Sequence, residues 1–137
     1  MAPDVVVVDA SAVVDLLLHG TGAVPPGAVL VAPAHLDAEV LSALARLCRA
    51  GQLSAEAVDD MLEGLAELPL GRVELPKMLQ AAFALRDNVA QRDSLYVVLA
   101  QQLDARLLTL DARLAAACRQ QRLATTWSSN GPALMGP

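Results

Sequence analysis

Aromatic side chains are nearly missing from this chain of 137 residues, which has one Trp, one Tyr and one Phe. That scarcity argues against a protein that stacks successive bases of a single strand on aromatic rings. It also requires a core packed from Val, Leu and Ala. Cysteine is almost as scarce: Cys48 and Cys118 are the only two, each within helix-like text, and no Cys/His spacing suits a soft metal site. Two cysteines make no disulfide framework, and a reducing cytoplasm is the expected setting. Lys77 is the only lysine, and the formal net charge is −5. Broad, non-specific polyanion binding is therefore disfavoured, although a small site whose positive charge comes from metal ions is compatible with it. No apolar run approaches the ~20 residues needed to span a bilayer. No basic stretch precedes the first apolar one, and Asp4 interrupts it early, so no cleaved leader and no membrane association are expected.

Apolar residues are abundant, at 55% of the chain, which excludes disorder and supports one domain with a substantial core. The opening VVVVDASAVVDLLL is the most informative stretch. Four valines read as a strand buried on both faces, the kind found inside a parallel sheet. Asp9 then falls where the strand ends and a helix begins, the edge of an open α/β sheet where ligands gather. Further strands are expected at 28–32, 72–75, 106–110 and 124–127. Helices are expected at 12–18, 36–50, from the Ser54 cap to about 68, at 77–86, 93–103 and 111–121. The 93–103 helix is apolar nearly all round and should be buried. Strands alternating with helices predict an α/β fold with a parallel central sheet of about four to five strands, covered on both faces. The working domain is 1–130, with 131–137 a flexible tail.

Four carboxylates sit at joints of this pattern or on a helix nearby. Asp9 and Asp111 follow strands, Asp93 heads a helix, and Glu39 lies beside the apolar stripe of its own. Taken singly, each has an ordinary explanation: Asp9, Asp93 and Asp111 as turn or cap residues, Glu39 as a solvated side chain. Ser11 is expected to cap a helix, with a hydrogen bond to Asp9 as its other role, and Thr109 to be an ordinary strand residue. Asp37 is expected to cap its helix. Asp15, Asp87 and Asp104 read as solvated or locally paired, and His19 and His35 as structural. Taken together, acids converging at one sheet edge raise one another's pKa, a cost that a divalent cation relieves. Hard oxygen donors select Mg²⁺ or Mn²⁺ over Zn²⁺, and such an ion can activate water against a phosphodiester.

Three blocks in this order, VVVVDASAVVDLL, APAHLDAEVLSAL and RDSLYVVLAQQLDARLLTLDARLA, span most of the chain. With them the sequence resembles the PIN-domain ribonucleases, and more narrowly the VapC-type toxins of bacterial toxin–antitoxin pairs. The resemblance implies a Mg²⁺-dependent endoribonuclease, with Mn²⁺ a substitute, that cuts structured cellular RNA such as tRNA or rRNA and so inhibits translation and growth. It implies Asp9, Glu39, Asp93 and Asp111 as the four catalytic acids. Of these, Asp9 and Asp93 would hold the metal, and Ser11 and Thr109 would support them. A homodimer and a VapB-type antitoxin follow from the same resemblance. The antitoxin's C-terminal segment would fill an apolar groove near the helices 12–18 and 36–50. Arg46, Arg49, Arg86 and Arg92 are candidate RNA contacts, each otherwise an ordinary surface arginine.

Two other readings compete. A phosphatase with Asp9 as nucleophile would want a second Asp where Ser11 stands, and a lysine where the chain has only Lys77. A non-catalytic α/β interaction module would account for the apolar excess equally well, but would show no metal-dependent cleavage.

Overall fold

Val6, Val7 and Val8 of β1 (Val5–Val8) have no exposed surface, as four consecutive valines require of a strand covered on both faces. In this computed structural model the described residues are 3–20, 22 and 24–123, with the backbone of 125–128 and 134–135. β1 pairs in parallel with β2 (Val29–Pro33) on one side and β4 (Arg106–Thr109) on the other. The remaining strands are β3 (Leu70–Val73), β5 (Thr125–Ser128) and β6 (Leu134–Met135). They form one sheet in the order β3-β2-β1-β4-β5-β6. All pairings are parallel except β5 with β6, which is antiparallel. The α/β fold with its parallel sheet is as the sequence predicts. The short antiparallel edge strand is an addition, contributed by the 131–137 segment, whose other residues lie outside those described.

The order of the strands decides where chemistry can occur. The chain leaves β1 for β2 and β3 on one side, then returns to β4 on the other. The crevice at the carboxyl ends of β1 and β4 is thus a switch point, where connections diverge to opposite sides and leave a cleft. α1 (Ala10–His19) leaves β1 there, and α6 (Ala112–Gln120) leaves β4. α2 (Leu36–Arg49) and α3 (Ala55–Glu67) follow β2. A 3-10 turn (Pro76–Met78), α4 (Leu79–Ala84) and α5 (Gln91–Leu103) lie between β3 and β4. Ser94 through Ala100 of α5 are all buried, and the helix packs on β1, β2 and β4, as an apolar surface all round demands. Cys118 is buried in the core, where desolvation pushes its thiol up to about 12, so it is an inert packing residue. Among the described residues no helix is long and apolar enough to cross a membrane.

Several boundaries differ from expectation for identifiable reasons. α1 begins at Ala10 because Asp9 itself is the cap, its carboxylate accepting from the Ala12 amide. β3 starts at Leu70, right after Pro69, and the segment from Pro76 opens as a 3-10 turn before becoming helical. Ser54 caps α3 as expected, accepting from Ala57 N at 3.1 Å. Asp37 does not cap α2. It instead takes a fork from Arg72, Nη2 to Oδ1 at 2.9 Å and Nε to Oδ2 at 3.2 Å. The same guanidinium donates to Leu70 O and Leu65 O, so one side chain ties the start of α2 to α3 and β3. Arg72→Ala is expected to cost about 1–2 kcal/mol in urea unfolding with the slope unchanged, the pair being partly exposed and the two carbonyls able to reach water. An unchanged midpoint would show that α2 is held without the clamp.

Candidate active site

Asp9 is almost fully buried at the C-terminal end of β1, with 5% of its surface exposed. Its Oδ1 accepts from Ala12 N at 2.9 Å and from Ser11 Oγ at 2.7 Å. Oδ2 accepts from Thr109 Oγ1 on the neighbouring strand β4. Three donors occupy three of a carboxylate's roughly four lone-pair positions, which leaves Oδ2 able to meet a cation. Ser11 Oγ also accepts from Leu110 N at 2.9 Å, and Thr109 Oγ1 from Asp111 N at 2.9 Å. Ser11 is therefore not the cap of α1. It and Thr109 stitch β1 to β4 across about a hundred residues of chain and hold Asp9 from both sides. Burial pushes the Asp9 carboxyl up to about 6. The Thr109, Ala12 and Ser11 hydrogen bonds oppose that shift, and the charge of Asp111 adds to it.

Asp111 caps α6, its Oδ1 accepting from Arg113 N at 2.9 Å. Asp93 is not a cap: Ala90 stands at the N-cap position of α5, and Asp93 falls in the first turn. That displacement turns its carboxylate out of the capping role, and among the described residues it accepts no hydrogen bond. Its pKa is raised, first by burial, then by Asp111, with a smaller push from Glu39 against the pull of Arg92 and Arg113. Glu39 is not solvated. Its side chain is 20% exposed, and Tyr96 Oη donates to its Oε1 at 2.6 Å.

All four acids line one hollow of about 570 Å³ that opens at the switch point between α1, α2, α5 and the turn after β4. Ser11 lines it too, and so do His35 and Tyr96, which the sequence marked only as structural and core residues. Of the candidate arginines, Arg46 and Arg92 reach the hollow; Arg49 and Arg86 do not line it. Arg86 stacks on Phe83, 4.4 Å from the ring centre. His19 pairs with Asp15 at 2.9 Å, outside the hollow.

The residues of the hollow fit a hard divalent ion. Most of the uncommitted donors are carboxylate oxygens, with the unpartnered Nδ1 of His35 beside them, and burial raises the pKa values of Asp9 and Asp93, with a further push from the charge of Asp111. Among the described residues no three acid, His or Cys side chains close into a cage.

No family model matches the chain. The chain is 46% identical over 121 residues to Ribonuclease VapC3 of Mycobacterium tuberculosis, covering 84% of this chain and 88% of that protein. It is 42% identical over 121 residues to Ribonuclease VapC1 of the same organism, covering 83% and 91%. Among solved structures it resembles PAE2754 from Pyrobaculum aerophilum, with a TM-score of 0.67 at 22% identity over 83% of this chain and 84% of that one, a likeness of fold. Relatedness over most of both chains, together with the α/β architecture, shows that this chain belongs to the VapC family of PIN-domain ribonucleases.

Proposed function

We propose that the protein is a Mg²⁺-dependent endoribonuclease that acts as the toxin of a toxin–antitoxin pair. Its substrate in this reading is structured cellular RNA, tRNA or rRNA, whose cleavage stops translation. The observation that carries the reading is the convergence of Asp9, Glu39, Asp93 and Asp111 on one hollow at the switch point. Asp9 and Asp93 are the ligands, and Mn²⁺ is a substitute metal. A bound ion supplies charge neutralisation for the phosphodiester and an acidified water. Ser11 and Thr109 hold Asp9 in place for that role. Glu39 and Asp111 orient the attacking water, the first from α2 and the second from the start of α6. Arg46 and Arg92, on the rim of the hollow, meet backbone phosphates; Arg49 and Arg86, away from it, do so only along a longer RNA path.

A VapB-type antitoxin completes the reading. The hollow runs from the acids along Val14 of α1 and Ala38, Ser42 and Ala43 of α2. Small residues there leave an apolar channel leading into the carboxylates, which suits a segment with an apolar face ending in a basic side chain. A homodimer would bury apolar surface such as Leu79 and Phe83 of α4, now 51% and 59% exposed.

The test is cleavage of total cellular RNA by antitoxin-free protein in Mg²⁺, in EDTA, and with Asp93→Asn in Mg²⁺. Discrete fragments from wild type in Mg²⁺ alone are expected, and their ends name the target. Intact RNA in every lane, with the protein shown to be folded, would overturn the reading.

A further inference from the structure

Tyr96 is the only tyrosine in the chain and lies on α5 with 1% of its surface exposed. A phenylalanine would fill the same volume without bringing a hydroxyl into the core, where an unpaired one is costly. The hydroxyl is paired, and with a carboxylate: Tyr96 Oη donates to Glu39 Oε1 at 2.6 Å, between residues 57 apart in sequence. His35 stands four residues before Glu39, the spacing that puts both on one helix face, and its ring centre is 5.0 Å from that of Tyr96. His35 Nε2 is 3.0 Å from the Arg92 carbonyl oxygen and 3.6 Å from the same Glu39 Oε1. Both neighbours are acceptors, so Nε2 carries the proton. Nδ1 is buried with no partner. Tyr96 is therefore the hydrogen-bond donor on Oε1 of Glu39, while the His35 N–H is given to the Arg92 carbonyl and stands 3.6 Å from that oxygen. Among the described residues the cation beside the other, Oε2, is Arg92, its Nε 3.8 Å away on a side chain that is 76% exposed and can be drawn away by a phosphate.

We propose that Tyr96 is a positioning residue for the cleavage reaction, with His35 supporting it: the phenol pins Oε1 of Glu39, the His35 ring packs against the phenol, and Oε2 is left free to orient the attacking water. This rests on Glu39 belonging to the nuclease site. Two further observations fit. Tyr96 lines the hollow on α5, one turn after Asp93, so a single helix carries one acid and the group that aims another. Burial and the Glu39 carboxylate both hold the phenol protonated, so it remains a donor throughout the working pH range.

The experiment measures kcat and KM on an RNA that the wild type cuts, in saturating Mg²⁺, for wild type, Tyr96→Phe, His35→Phe and Glu39→Gln. Melting curves establish that each is folded at the assay temperature. Tyr96→Phe is expected to lower kcat roughly tenfold or more, as a misplaced catalytic group does, with KM within about twofold. His35→Phe keeps the ring and loses the donor, and is expected to lower kcat by a smaller factor. An unchanged kcat in Tyr96→Phe, or a loss confined to KM, overturns the proposal; an unchanged kcat in His35→Phe removes His35 from it. Wild-type cleavage by Glu39→Gln overturns instead the assignment of Glu39 to the site. If Tyr96→Phe does not fold, the single tyrosine still provides a test. Isotope-labelled tyrosine gives one ring-carbon resonance at the hydroxyl, which Glu39→Gln is expected to shift. An unmoved resonance overturns the hydrogen bond on which the proposal stands.

Discussion

Asp9→Asn is expected to lower RNA cleavage by at least about a hundredfold while making the metal-free protein more stable, because the groups that stabilise the transition state are the ones the fold tolerates least. The carboxylate is buried at the end of β1 and pushed up to about 6 against an ordinary 3.8, chiefly by desolvation. The sign follows from proton counting. Between those two values the folded state binds the proton and the unfolded state does not, so stability falls as pH rises through the window. It is fully present below about 4 and lost above about 6. Two pKa units correspond to about 3 kcal/mol, an upper bound at neutral pH for a single site. An asparagine there keeps the acceptor for Ala12 N, and Thr109 can turn its proton toward Ser11 Oγ, 3.3 Å away. Urea unfolding of both proteins in EDTA, at pH 5 and pH 8, measures the effect. The wild type should lose stability over that interval, and the variant should lose less. Equal pH slopes in the two proteins would refute the account of Asp9, and retained cleavage would remove it from the machinery.

Mg²⁺ should reverse the penalty that Asp9 and Asp93 impose. An ion bound only by the folded state stabilises it by about 2.7 kcal/mol at a hundred times its Kd, which in a domain of this size raises Tm by about ten degrees. The rise should be larger at pH 8 than at pH 5, because protons and the ion compete for the same carboxylates. On the proposed assignment Asp93→Asn removes one ligand, and it should flatten the response. Calorimetric scans with Mg²⁺, with Mn²⁺ and with EDTA provide the comparison. A wild-type Tm indifferent to both ions would leave the acids without the partner that their chemistry calls for.

Much of this was legible in the sequence because it was local. The run Val5–Val8 could be little else than an interior strand, and Asp9 and Asp111 fell at strand ends because a strand followed by an acid and helical text admits few other readings. What was misread turned on competition between neighbours. Ser11 and Asp9 both suit a cap, and only the strand beside them decides, because Thr109 and Leu110 N draw Ser11 into a bridge. Taken singly, Asp93 reads as a cap because no better one precedes α5; the helix begins instead at Gln91 after Ala90, with no capping side chain. Glu39, His35 and Tyr96 were unreadable as a group. Nothing in an apolar helix announces that its one phenol will meet a carboxylate 57 residues earlier. An i,i+4 pairing of His35 with Glu39 was the one local signal available for that cluster.

Strand β1 lies between β2 and β4, and the register sets Val6 opposite Leu30 on one side and Arg106 on the other. During synthesis the two sides are completed at very different times. A nascent chain that ends at α4 already carries Asp9 and Glu39. It lacks Asp93, Asp111 and Thr109, and the second edge of β1 is still open. Long-range pairing of this kind is the slow part of folding. The cleft therefore closes only when the chain through Asp111 has left the ribosome, and no truncated product ending before β4 can assemble the four acids. A ribonuclease of this build is thus delivered unarmed, its four acids brought together only once β4 and the start of α6 have been made.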